Sequence, residues 1–96
     1  MTIPDSKTIV NPLLNYLKDG KEHSMKEVEE YLASHFKLNE NEKNQPKPSG
    51  HETLFHNRIH WAKFYLKKDG LINDPKRSFT RITSEGLQTL RQRSQK

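Results

Sequence analysis

Between Phe55 and Gly86 the hydrophobic pattern changes period twice within 32 residues, and few folds accommodate such a change in so short a span. Phe55, Ile59, Ala62 and Leu66 recur at helical spacing and predict a helix over about Glu52 to Asp69, with this stripe as its core face. Gly70 stands where a helix C-cap belongs, and Leu71 with Ile72 begins a short strand. Asn73 to Ser78, NDPKRS, is a turn centred on Asp-Pro, Phe79 to Thr83 alternates as a return strand, and a last helix is expected over about Ser84 to Arg93, burying Leu87 and Leu90. An isolated hairpin is barely stable in water, so this one must pack on helices, and the residues before Glu52 have to supply them.

They read as two helices. The first follows Pro4, with Asp5 or Ser6 as cap, places Ile9, Val10, Leu13, Leu14 and Leu17 on one side and ends by Gly20. Pro12 either opens a shorter helix near Val10 or Asn11 or kinks a longer one. Ser24 and Glu27 form a capping box for the second helix, about Met25 to Phe36, with Met25, Val28, Tyr31, Leu32 and Phe36 at helical spacing. Asn39 and Glu42 can cap one further turn within Leu38 to Asn44, whereas Gln45 to Gly50, QPKPSG, is an exposed loop. Helix, helix, helix, hairpin, helix is a mainly α chain with a small β-hairpin, the order of a winged helix, in which the third helix of a helix-turn-helix plan enters the major groove. Residues 1–93 make the expected domain and 94–96 the start of a linker or tail.

Leu, Ile, Val and Phe number 21 of 96, so a single small core is the most this chain can build. It has no cysteine, which removes disulfides, thiol nucleophiles and Cys-ligated zinc. No apolar run is long enough for a membrane span or a signal-peptide core, and the expected location is the cytoplasm. Charge is divided unevenly: Arg58 to Lys96 holds ten Lys or Arg against three acidic residues, and Met1 to Asn57 seven against nine. A basic half joined to a slightly acidic one is what a protein turning one face to a polyanion shows, and double-stranded DNA is the expected partner.

On the third helix, Thr53, His56, Asn57, His60 and Lys63 are the candidate base readers, because Asn can bond two atoms of adenine and His can donate to guanine acceptors. Lys67 on the helix and Lys76, Arg77 and Arg81 on the wing are the candidate phosphate anchors. Trp61 and Phe64 fall at the border of the outer face. The expectation for them is burial under the Leu38 to Gly50 segment or the last helix, with a docking surface or base stacking as the other readings. His56 and His60 have the spacing of two metal ligands, but HNRIH lacks the glutamate of the HExxH pattern, so neither metal nor cofactor is expected. No nucleophile elbow, phosphate-binding glycine loop or acidic catalytic cluster occurs, and no catalysis is expected.

Four stretches resemble the N-terminal domain of Mrr-type restriction endonucleases. They are Ile3-Pro4 ahead of Leu13-Leu14 and Tyr16-Leu17; Asn57-Arg58-Ile59 followed by Trp61-Ala62; Leu66 to Ile72, LKKDGLI; and Ile82 to Gly86, ITSEG. The resemblance covers nearly the whole chain and departs most in the polar loop Asn39 to Gly50. It implies a winged helix serving as the DNA-recognition part of a restriction system, joined to a separate C-terminal nuclease of the PD-(D/E)xK type that in several members cuts DNA bearing modified bases. The competing expectations are a protein-interaction or dimerisation module, with Trp61 and Phe64 as contact, and a free-standing transcriptional regulator.

Overall fold

The structure is a computed structural model that describes residues 3–46 and 52–94. Most of the expected QPKPSG loop therefore lies outside the described residues, as does His51. Helix α1, Ser6–Tyr16, is capped by Asp5, whose carboxylate accepts from the Thr8 amide, and it includes Pro12, the longer of the two helices the proline allowed. Burial of Ile9, Leu13 and Leu14 offsets the hydrogen bond that Pro12 removes. A 3₁₀ turn, Leu17–Asp19, ends at Gly20 in the left-handed region. Helix α2, Met25–His35, starts on the Ser24 cap, and the short α3, Glu40–Lys43, carries the complete Asn39–Glu42 capping box. Helix α4, Leu54–Lys68, buries Phe55, Ile59, Ala62 and Leu66, the expected stripe, and packs most extensively on α1.

Two strands, β2 (Ile72–Asn73) and β3 (Phe79–Ile82), form the wing, and helix α5 continues from Ser84 to Ser94, slightly beyond the expected end. A third strand was not anticipated. His23–Ser24, here β1, pairs antiparallel with β3, His23 opposite Thr80 and Ser24 opposite Phe79, and gives a three-stranded sheet in the order β1-β3-β2. Two residues are too few to show alternation, and the same residues signal the start of α2, so the strand is invisible without its distant partner. The element order and this sheet are those of a winged helix. Leu87 and Leu90 are half-buried against the core, while Ile72, Thr80 and Ile82 close it from the sheet side. Among the described residues no helix is long and apolar enough to cross a membrane.

Two joints lock these elements. Gly70 takes φ 75° at the end of α4, where the Leu71 amide donates back to the Leu66 carbonyl and turns the chain into the wing. Arg58 leaves the opposite flank of α4 and donates to the Ile3 carbonyl at 2.7 Å and the Pro4 carbonyl at 3.3 Å, pinning the segment before α1 to α4. Arg58 and Ile3-Pro4, far apart in the chain, are thus one structural unit.

Beneath the wing, His23 lies between two carboxylates, with Nδ1 at 2.6 Å from Glu27 and Nε2 at 3.0 Å from Asp19. Carboxylates only accept, so both ring nitrogens donate and the imidazole is a cation. Burial opposes that charge, but the bonds to Glu27 and Asp19 outweigh it and raise His23 above its usual 6.5. Asp19, held by the Lys21 amide and by His23, and Glu27, held by His23 and Tyr16, are lowered below 3.8 and 4.5. The histidine contribution is complete below about pH 6.5 and lost as pH rises through its raised value; that of the carboxylates is complete above about pH 4.5 and lost as pH falls through their lowered values. Thermal stability is therefore expected to peak between those limits and to fall toward pH 8. In His23→Gln the decline on the alkaline side should flatten, and an unchanged slope in melting curves from pH 5 to 8 would remove His23 as its cause.

Candidate nucleic-acid interface

The outer surface of α4 divides into three strips by helical geometry and by the partners of each side chain. Toward α2 and the wing lie His56, His60, Lys63 and Lys67. Opposite the core lie Asn57, Trp61, Phe64 and Lys68. Toward α1 lie Arg58 and Tyr65, the latter lining a groove with Lys7, Val10 and Lys68.

The expected base readers are held by bonds within the protein. Thr53 is the N-cap of α4, its hydroxyl accepting from the His56 amide at 3.1 Å. Asn57 donates to Glu52 at 2.8 Å. His56 donates from Nδ1 to Glu29 on α2 at 3.3 Å and faces the Nε2 of His60 with its own Nε2 at 3.0 Å. Burial lowers the His60 pKa first, with the neighbouring His56 and Lys63 adding to the effect, so this ring is neutral at pH 7. Glutamates 29 and 52 thus place negative charge around the N-terminal end of α4.

The C-terminal half of α4 differs. Lys63 and Lys67 converge on Asp74 at the start of the wing turn, at 3.2 and 2.9 Å. Burial opposes the charge of Asp74, but Lys67 and Lys63 outweigh it and hold the carboxyl below its usual range. This clasp fixes the wing beside the helix. Lys76 lies over the Phe79 ring at 4.5 Å and reaches Glu22 at 3.5 Å, a contact on an exposed side chain that contributes little. Arg77 is exposed at the turn and makes no hydrogen bond or ion pair among the described residues. Arg81 is exposed on β3 and opens onto a cleft with Gly20, Asn73 and Glu85, which contains no residue of α4. Lys67 is thus part of the clasp, Lys76 and Arg77 follow Asp74 along the turn, and Arg81, opposite Asn73 on the wing, opens onto a different cleft.

The expected burial of Trp61 and Phe64 is corrected: Trp61 is 49% and Phe64 52% exposed, with Tyr65 beside them at 37%. The rings meet one another instead, Trp61 edge-on to Phe64 at 5.6 Å between centroids. The reason is topological, because α5 packs on α1 and, at Gly86, against Ile82 of the sheet, while α3 meets α4 and the segment just after it, at Pro46, bridges Thr53 at the N-terminal end of α4. Neither reaches the aromatic strip.

Besides Glu52, the partner of Asn57, sequence reasoning missed Asp74 and Glu29. Each lies on a different element from its partners, and only the Asp74-Pro75 turn signal pointed to either. The family model described as Mrr N-terminal domain matches residues 7–92. No curated protein and no solved structure matches the chain.

Proposed function

Since the chain belongs to the Mrr N-terminal domain family, which ties it to restriction systems, we propose that it is the part of such a system that binds double-stranded DNA, acting beside a nuclease domain. The Asp74 clasp carries this reading. It sets an exposed basic wing, Lys76 and Arg77, against the basic C-terminal half of α4, so that one surface can follow a phosphate backbone while the helix lies in the adjoining groove. The wing and Lys67 lead the encounter, because glutamates at the N-terminal end of α4 repel phosphate. Base reading by His60, His56 and Asn57 follows as their internal bonds are exchanged for base edges, an exchange that lets the wrong sequence be rejected through unpaired polar groups. Modified bases are one target class such a helix could read.

The test is a titration of a short duplex at increasing salt. With about four to six phosphates neutralised, log K should fall against log salt with a slope of roughly −4 to −5. A slope near zero would favour the second reading, a protein dock or homodimer centred on Trp61, Phe64 and Tyr65, whose exposure together is the observation behind it.

A further inference from the structure

We propose that His56 and His60 form a two-histidine site for a divalent transition-metal ion of the zinc class. In a zinc site with bonds of about 2.0–2.1 Å and angles of about 90–110°, two nitrogen ligands lie roughly 2.9–3.4 Å apart. The two Nε2 atoms here are 3.0 Å apart, joined by a hydrogen bond, and already stand at that separation. Glu29 fixes the chemistry of the first ligand: its carboxylate can only accept, so Nδ1 of His56 carries the proton and Nε2 presents its lone pair. Carboxylate, histidine and metal in that order is the usual support for a ligating imidazole, since the outer acid orients the ring and raises its basicity.

Nε2 of His60, which donates its proton to the His56 lone pair, becomes the second ligand once the proton moves to Nδ1. Its ring is exposed and lines an open cleft with Trp61 and Phe64, which gives an ion a path in. No three side chains among the described residues form a metal shell, and Glu52, bonded to Asn57, has its nearer oxygen 4.0 Å from His56 Nε2. The remaining positions on the ion therefore belong to water, or to Glu52 after a side-chain rotation. The charge of Lys63, one turn further along the helix, is offset by its ion pair with Asp74. An occupied site would withdraw both Nε2 atoms from any base edge. The proposal does not depend on DNA binding.

Tag-free protein at pH 7.5 is titrated with Zn²⁺ by calorimetry and with Cu²⁺ by fluorescence of Trp61, the chain's single tryptophan and the neighbour of His60. One saturable site is expected, with Trp61 quenched as Cu²⁺ fills it. His56→Ala and His60→Ala should each weaken it at least tenfold, and Glu29→Gln by about 10–100-fold. His23→Gln should leave it unchanged. In wild-type protein, two-bond proton–nitrogen spectra should show Zn²⁺ shifting Nε2 of His56 and His60 together, a readout independent of any variant's folding. No binding below millimolar ion, binding that survives both alanine variants, or Zn²⁺ shifts confined to other histidines would overturn the site.

Discussion

Alanine at Gly86 is expected to destabilise the domain by about 2–3 kcal/mol, as overpacking of a tight contact does, and for a domain of this size that corresponds to a melting temperature lower by roughly 10–20 °C. The reason lies in a single close approach. A Cβ on Gly86 would come within 2.5 Å of Ile82 Cγ1 and closer still to the backbone oxygen of Leu71. Rotation of Ile82 could relieve the first clash, but the carbonyl cannot move freely, because it accepts from the Thr83 amide at 2.9 Å. Thr83 is itself fixed, its hydroxyl donating to the Gly70 carbonyl at 2.7 Å and accepting from the Gly86 amide at 3.1 Å. The end of α4, the sheet and the start of α5 therefore meet at one point that only glycine fits. Gln88→Ala, on the exposed side of α5, serves as the control and should melt like wild type. A Gly86→Ala protein that melts within about 3 °C of wild type, corresponding to less than about 1 kcal/mol, would mean that α5 can lift away without loss.

This joint also explains a stretch that was legible in the sequence only as a pattern. Ile82 to Gly86 marked a strand-to-helix turn, but the need for threonine at 83 and glycine at 86 appears only once Gly70 and Leu71 are brought against them. Arg58 shows the same division. It counted toward the basic half of the chain, yet its guanidinium is occupied by the carbonyls of Ile3 and Pro4. What sequence conveys well is one-dimensional: the α4 stripe, the Ser24 and Asn39 caps, the Gly70 stop and the wing turn. What it conveys poorly is pairing across elements. Strand β1 needs β3, Glu29 needs His56, and the exposure of Trp61 depends on where α3 and α5 dock. Of the candidate site, the wing cations Lys76 and Arg77 were readable as exposed charge because turns project outward, whereas the engagement of Asn57 by Glu52 and of Lys63 by Asp74 was not.

That engagement leads to the other large expected effect. Replacing Lys76 and Arg77 together by alanine removes two exposed cations from the wing tip; it should weaken binding to every duplex alike, on the order of 10²-fold at low salt, and reduce the magnitude of the salt slope by about 2. Asp74→Asn should act in the opposite direction. The carboxylate neutralises Lys63 and Lys67 at 3.2 and 2.9 Å, and a phosphate has to compete with it for both ammonium groups. The amide keeps the shape and a weaker acceptor but releases the charge, so affinity should rise several-fold and the salt slope should steepen by about 1–2. Fluorescence anisotropy over a salt series measures both variants on one labelled duplex, with a melting curve on each to confirm the fold. If folded Asp74→Asn instead binds more weakly, the clasp acts by holding the wing beside α4 rather than by masking the lysines, and Lys63 and Lys67 are then spacers for the wing instead of phosphate contacts.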